Sequence, residues 1–201
     1  MTPLPQIGNV PCANARGGFG VVTLPGGVLP PGLCEEDFNT QPLIEAADTP
    51  PFFHNNARNS IEEAATFYTT DALNNSVGGQ LLRLIDTNGV GIALDATQIN
   101  AVGSFLRVLN ALENIRQTEE TLIGIIQGLP FLKQAQLNSL FAHAVAEAED
   151  AIKVLQDGGL HPTGVNRLKS ARNHMKSPNR LFLLPIIAFL IDSGRADLVN
   201  D

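Results

Sequence analysis

The amino-acid sequence predicts a mainly α-helical fold with a loop-rich N-terminal part and a helical bundle or helical hairpin at its C-terminal end. Residues 1–51 carry most of the prolines, much of the glycine and only short apolar runs, a composition typical of extended loops. From Ser60 onward, apolar residues recur at helical spacing. We therefore predict a first domain over residues 1–112, with loops over residues 1–59 and helices from residue 60, and a helical extension over residues 113–201.

Capping signals predict the first helices. Ser60 and Glu63 form the pattern Ser-x-x-Glu of a capping box, which satisfies backbone N–H groups that a helix start leaves without partners. Asp95 and Gln98 form a second box, which predicts a helix from Ala96 to about Arg116. We expect its apolar face to be buried, namely Ile99, Val102, Phe105, Leu106, Leu109 and Leu112.

Four further helices are predicted beyond this point, with short breaks between them. They lie near Glu119–Gln127, Phe131–Gln156, Gly164–Lys176 and Pro178–Asp192. Ser177 followed by Pro178 is typical of an N-cap and a first helical residue, and Gly194 is expected to stop the last helix. Short connections imply antiparallel neighbours. The apolar segment Leu181–Ile191 is interpreted as a core helix, with a seam between subunits as the alternative.

Composition and charge exclude several classes of protein. With 13 Lys and Arg against 20 Asp and Glu, the formal net charge of −7 argues against a nucleic-acid partner, which needs clustered cations. No membrane span is expected, because the longest apolar run, Leu181–Ile191, is too short to cross a bilayer and contains Pro185. No secretory signal is visible near the start of the chain, so the protein is either cytosolic or has lost its leader with more of its N-terminus.

The two cysteines, Cys12 and Cys34, lie in the loop-rich segment with 21 residues between them. In an oxidising compartment a disulfide between them would stabilise the fold by about 3 kcal/mol. Two unpaired thiols are the equally plausible alternative. Neither cysteine belongs to a CxxC or lies beside a histidine, so they do not predict a metal site.

Three blocks of sequence resemble a known redox family. Phe38-Asn39-Thr40 with Pro42 and Ala47–His54 match its FNTP-like start and its TPPYFHDG-like turn. Ser60–Tyr68 matches a helix of TLEEVVxFY type, and Leu94–Leu112 matches the closing helix. Residues 38–112 therefore resemble the C-terminal haem c domain of the bacterial dihaem cytochrome c peroxidase and MauG-like family.

The resemblance implies a cytochrome c-like partial domain and a function in an intact, longer protein. That function is electron transfer through haem c and peroxide-dependent oxidation, in the periplasm, with an electron-donor or substrate protein as partner. The chain has no CxxCH, the motif that attaches this haem covalently. We therefore expect the haem-bearing segment to lie upstream of residue 1, or the haem to be supplied by another subunit.

The resemblance also assigns two residues to the haem. Tyr68 stands 14 residues beyond the turn His54, at the position that supplies an axial ligand of the haem iron. A phenolic oxygen suits the higher oxidation states of iron. The alternative for Tyr68 is a ring packed on the core with its hydroxyl at the surface. His54 would lie by the haem edge, and its alternative is a loop histidine bonded to backbone. No catalytic residue is predicted.

Departures from the family pattern support a competing hypothesis. Glu45 stands where the family has an arginine, and a carboxylate there would repel a haem propionate. Arg58 is a candidate replacement for this cation, and Asn55-Asn56 replaces the usual Asp-Gly, although Asn tolerates the left-handed conformation. The competing hypothesis is a haem-free binding or scaffold module that kept the fold.

A metal site is a weaker candidate. His143 has Glu147 and Asp150 at i+4 and i+7 on the same predicted helix, a spacing that a carboxylate–histidine site could use. Phe141, Val145 and Leu155 indicate ordinary amphipathicity there, so we favour a solvated helix face.

Overall fold

The computed structural model describes residues 43–53, 55–76, 79, 80, 83, 89 and 91–200. These residues are mainly helical, which confirms the predicted fold class. The helices are α1 (Ile61–Phe67), α2 (Asp71–Asn74), α3 (Ala96–Gly128), α4 (Gln134–Asp157), α5 (Pro162–Met175) and α6 (Leu184–Asn200), preceded by a 3₁₀ turn at Ala46–Asp48. Within this part of the chain the extended pairing is one isolated bridge between Phe52 and Arg58.

The chain divides into two compact units. Residues 67–93 belong to one, and residues 43–66 with 94–200 belong to the other. In the first unit, Thr70 caps α2 by accepting a hydrogen bond from the Leu73 N–H, and Asn74 Nδ2 donates to the Ile92 carbonyl over 3.5 Å. Gly89 has the left-handed φ of 66° that favours glycine.

The second unit is built on a four-helix bundle of α3 to α6. Consecutive helices pack against each other, and α6 returns to α3, which closes the bundle. Because the connections are short, neighbouring helices run antiparallel. One polar pair joins each two neighbouring helices: Thr118 with the Ala144 carbonyl, Lys176 with Glu149, Arg167 with Asp197, and Arg195 with Glu119.

The core of the bundle combines large aliphatic residues with alanines that let the helices approach. The buried apolar residues include Ile115, Leu122 and Ile125 of α3, Phe141, Ala144, Ala148, Ala151 and Leu155 of α4, Val165, Leu168 and Met175 of α5, and Leu184, Ile187 and Ile191 of α6. Each large side chain buried in this way contributes about 1.5–3 kcal/mol. The helical bundle therefore contains the hydrophobic core of this unit.

The prediction that a helix ends near Arg116 is wrong, since α3 is one continuous helix of 33 residues. Residues 113–120 contain neither Gly nor Pro, so nothing local interrupts the helix. Arg116 also forms ion pairs with Glu113 and Glu120, at spacings that stabilise helices. The boundary proposed at residue 112 thus falls inside one helix.

Both predicted ends of the last helix are also wrong. The helix begins at Leu184 instead of Pro178, and residues 177–183 form a series of turns in which Ser177 Oγ accepts from the Asn179 N–H over 3.2 Å. Pro185 then occupies the first helical turn, where its missing N–H costs little. The helix also continues through Gly194 to Asn200, because Gly194 is buried against α5.

The predicted caps are confirmed at Asp95 and in part at Ser60. Asp95 Oδ1 accepts from the Gln98 N–H over 2.8 Å, and Gln98 Oε1 accepts from the Asp95 N–H over 2.9 Å. Ser60 Oγ accepts from the Glu63 N–H over 3.1 Å. The Glu63 carboxylate, however, accepts from the N–H of Asn59 rather than that of Ser60. None of the described helices is long and apolar enough to cross a membrane.

Candidate functional site

Tyr68 follows directly on the last residue of α1. It is 43% exposed, and its ring meets that of Phe67 edge-on, with 5.8 Å between the centroids and 76° between the planes. The ring is thus held by an aromatic neighbour while part of the side chain stays in contact with solvent. This placement suits both predictions for Tyr68, the iron ligand and the packed ring with its hydroxyl at the surface.

Backbone hydrogen bonds join the described residues on either side of position 54, and His54 itself lies outside the described residues. The Phe52 N–H donates to the Arg58 carbonyl over 2.7 Å, and the Asn56 N–H donates to the Phe53 carbonyl over 3.1 Å. Phe53 and Asn56 have positive φ angles of 67° and 55°. Asparagine tolerates the left-handed conformation, and Asn56 adopts it here.

Glu45 lies among other acids. It precedes the 3₁₀ turn with a positive φ of 66°, and its Oε1 accepts from Gln117 Nε2 over 3.5 Å. Its charge also contributes to raising the pKa of Glu147. The carboxylate of Glu45 therefore belongs to an acidic group at the α3–α4 side of the bundle, where a second anion would be repelled.

Glu147 is a half-buried member of this group. Burial raises the pKa of its carboxyl, the nearby His143 lowers it, and repulsion from Asp150, Glu45 and Glu113 raises it further. His143 Nδ1 lies 3.5 Å from Glu147 Oε1 and His143 is exposed, as expected for a solvated face. Within the described part of the chain, His, Cys, Asp and Glu do not gather in threes in a way that could hold a metal ion.

The other candidate residues are placed as follows. Arg58 is half-buried, and its Nη1 donates to the Ala57 carbonyl over 3.0 Å. Its predicted role as a substitute cation stays a prediction. Cys12 and Cys34 lie outside the described residues, so their pairing also stays a prediction.

The N-terminal half of α3 leaves an apolar face uncovered. Val102 and Phe105 are exposed, Phe105 at 64%, whereas Leu106, Leu109 and Leu112 are half-buried. The prediction of a buried face is therefore wrong at Val102 and Phe105. The residues buried along this half of α3 are instead Gly103, Asn110 and Ala111. We call Val102 and Phe105 the open face of α3.

Two polar contacts that sequence reasoning missed attach residues 43–66 to α3. Asn110 Nδ2 donates to Asp48 Oδ2 over 2.6 Å, and Arg107 pairs with Glu62 through both ends of its guanidinium, with Nη2 lying 3.1 Å from Glu62 Oε2. The hydrogen bond from Arg107 lowers the pKa of Glu62 more than burial raises it. Residues 43–66 therefore lie against the same helix that carries the open face.

A sequence signal for this attachment existed in α3. Asn110, Asn114 and Thr118 recur every four residues and are all buried, so they form a polar stripe inside an otherwise apolar interface. Thr118 Oγ1 donates to the Asn114 carbonyl over 2.9 Å. A polar stripe at core spacing is unusual, because buried polar groups need partners. It could have indicated that another segment supplies one.

Comparison with protein-family models, with curated proteins and with solved structures finds no match for this chain. The likeness to dihaem peroxidases rests on the sequence blocks within residues 38–112, and it stays a prediction.

Proposed function

We propose that this chain is the haem-covering, C-terminal part of a dihaem c-type peroxidase-like protein. In the assembled protein it would serve electron transfer and peroxide-dependent oxidation, in the periplasm, with an electron-donor or substrate protein as partner. The observation that carries the proposal is the open face of α3. It lies within Leu94–Leu112, the block that resembles the helix closing the haem domain in that family.

The open face of α3 has the properties expected of a surface that another polypeptide segment buries. Val102 and Phe105 are one helical turn apart, so they project from the same side of α3. An exposed apolar residue alone needs no explanation, but this pair stands in the sequence block that predicts burial. Covering the exposed part of Phe105 would contribute about 1–2 kcal/mol. A helix that bears CxxCH would supply such cover.

This chain offers a candidate ligand for haem iron but no motif that would attach the haem covalently. Tyr68 carries a phenolic oxygen, a type of donor that ligates haem iron, and its side chain is partly exposed. His54 is the proposed pocket residue by resemblance. Covalent attachment by this chain is not available, because its only cysteines, Cys12 and Cys34, form no CxxCH. Bound haem c would supply one-electron redox chemistry, and this chain would contribute the ligand oxygen and the cover.

A titration with a short CxxCH peptide that carries covalently attached haem tests the proposal. We expect the purified chain to bind this peptide and to produce a tyrosinate-to-iron charge-transfer band. Because Tyr68 is the only tyrosine of the chain, Tyr68→Phe should abolish the band. Phe105→Ser should weaken binding about tenfold, which corresponds to about 1.4 kcal/mol.

Phe189→Ser is the matched control, because Phe189 of α6 is also 64% exposed. It should leave the affinity for the haem peptide unchanged. The proposal is overturned if the wild-type chain does not bind the peptide, or if Phe105→Ser and Phe189→Ser behave alike. A band that persists in Tyr68→Phe would remove the ligand role of Tyr68 alone.

A haem-free binding or scaffold module is the second candidate, and the position of Glu45 favours it. Its carboxylate joins the acidic group around Glu147 where the family has an arginine for a haem propionate. This candidate predicts no affinity for the haem peptide and no effect of Tyr68→Phe on partner binding. A pyridine haemochrome spectrum of the chain, purified from cells that attach haem c, adds a check: a c-type signal would contradict it.

A further inference from the structure

We infer that one end of the bundle is a self-association surface that binds a second copy of this chain. We call it the apolar end, and it is formed by large exposed hydrophobic residues. These are Ile123, Ile126, Leu129, Phe131, Leu181, Phe182, Ile186 and Phe189.

The topology of the bundle brings these residues to the same end. The turn from α3 to α4 and the connection from α5 to α6 lie at the same end of the bundle. The helices α3 and α5 end there, and α4 and α6 begin there. Arg180 confirms the placement, because its guanidinium lies 4.5 Å from the Phe141 ring centroid and it bonds to Asn138 Oδ1. The connection that carries Phe182 therefore packs beside the N-terminal turns of α4.

The exposed area is large enough for a dimer. Phe131 and Phe182 are 86% and 89% exposed, and Phe189 is 64% exposed. With about 200 Å² for each phenylalanine, these three side chains alone expose roughly 500 Å². That is already near the size of the largest apolar patch on a typical monomer, about 300–600 Å². The five aliphatic residues bring the total toward the roughly 800 Å² that each partner of a stable complex buries.

Charge favours a second copy over other occupants. Residues 121–132 and 181–191 contain no Asp, Glu, Lys or Arg, although the chain carries a net charge of −7. In a two-fold symmetric dimer the same surface meets itself, so like charges would repel, and these segments have none. The cations that border these segments, Lys133 and Arg180, are not among the eight apolar residues, and Arg180 is held against Phe141 and Asn138. An anionic membrane surface is a poor fit, because it would repel a chain of net negative charge.

The apolar end is distinct from the open face of α3. Phe105 and Ile126 are 21 positions apart on one continuous helix, which separates them by roughly 30 Å along its axis. A haem-bearing helix on the open face would leave the apolar end uncovered. Self-association and haem covering can thus succeed or fail independently.

Sedimentation velocity over a range of protein concentrations tests the inference. We expect the wild-type chain to form a dimer whose dissociation constant is micromolar or lower and changes little between about 0.1 M and 1 M salt, because the eight residues that form the apolar end carry no charge. The double variant Phe131→Ser, Phe182→Ser should raise the dissociation constant at least 100-fold. Both residues are almost fully exposed, so circular dichroism should show unchanged helicity.

Phe105→Ser is the matched control and should dimerise like the wild type. The inference is overturned if the wild-type chain is monomeric at about 100 μM, if the double variant dimerises equally well, or if Phe105→Ser alone abolishes the dimer. Binding of the monomer to neutral lipid vesicles without dimer formation would assign the apolar end to a lipid surface, and would also overturn it.

Discussion

Asn110, buried in α3, donates a hydrogen bond from Nδ2 to the carboxylate of Asp48, 62 positions earlier in the chain. Its Oδ1, and the Nδ2 of the neighbouring Asn114, have no hydrogen-bond partner among the described residues. The hydrogen bond to Asp48 is therefore the one that the Asn110 amide makes within this part of the structure. It anchors the 3₁₀ turn on the helix that also carries the open face.

We expect Asp48→Ala to lower the free energy of unfolding by about 1–3 kcal/mol, because it leaves the buried Asn110 amide without an acceptor. Asp48→Asn keeps an acceptor oxygen and should lose less. Urea unfolding measures both. Asp150→Ala, at an exposed position of α4, is the control and should change stability by no more than about 0.5 kcal/mol. Equal losses in Asp48→Ala and Asp150→Ala would show that the contact contributes nothing.

The Glu62–Arg107 pair predicts a loss of stability in acid. Arg107 lowers the pKa of Glu62 in the folded protein, so folding favours the ionised carboxylate. This stabilisation is complete above the ordinary pKa of about 4.5 and disappears as the pH falls through the lowered folded value. Between about pH 6 and pH 3, the wild type should lose roughly 1 kcal/mol more than Glu62→Gln. Urea midpoints at several pH values measure this difference.

Glu147 should show the opposite dependence of stability on pH, because burial raises the pKa of its carboxyl. Its ionised form is disfavoured in the folded protein, so this penalty is present above the raised pKa and is relieved as the pH falls. Glu147→Gln should therefore stabilise the protein at neutral pH and steepen its loss of stability in acid. If Glu62→Gln and Glu147→Gln shifted the pH dependence in the same direction, at least one of the two assignments would be wrong, and the sign of the shift would show which one.

The crossing of α5 and α6 depends on two glycines. A methyl group on Gly164 would lie 2.7 Å from Leu198 Cδ1 and 3.2 Å from the Gly194 carbonyl oxygen, so Gly164→Ala forces the buried Leu198 or a helix backbone to move. We expect Gly164→Ala to lower the free energy of unfolding by about 1–2 kcal/mol. Thermal unfolding at low protein concentration measures the change.

Gly124 of α3 is the matched control, because a methyl group there would meet no atom within 4 Å. Gly124→Ala should stabilise the protein by about 0.5–1 kcal/mol, since alanine loses less backbone entropy in a helix. A stabilising Gly164→Ala would mean that the two helices can separate at no cost. The same substitution should destabilise the protein at Gly164 and stabilise it at Gly124, so the comparison tests the close packing of α5 against α6.

Local features were predictable from the sequence because their partners lie within a few residues. The Asp95 cap closes over three residues, and α4 ends at Asp157, one residue beyond the predicted Gln156 and just before Gly158-Gly159, so neither depends on the rest of the fold. The capping boxes at Ser60 and Asp95, together with apolar residues at helical spacing, were sufficient to predict a mainly α-helical fold. The predicted helix Phe131–Gln156 differs from α4 by no more than three residues at either end for the same reason.

The sequence by itself determined that this chain is helical and where most of its helices begin, whereas the likeness to a haem domain stays a prediction. Only the tertiary structure decided that Gly194 continues a helix, that Asn110 is bonded to Asp48, and that Phe105 and Phe182 stay exposed. The physical reason is that a glycine, a buried amide or an apolar side chain takes its role from the surface that faces it. That surface comes from residues distant in the chain, and helical spacing alone does not reveal whether it is present.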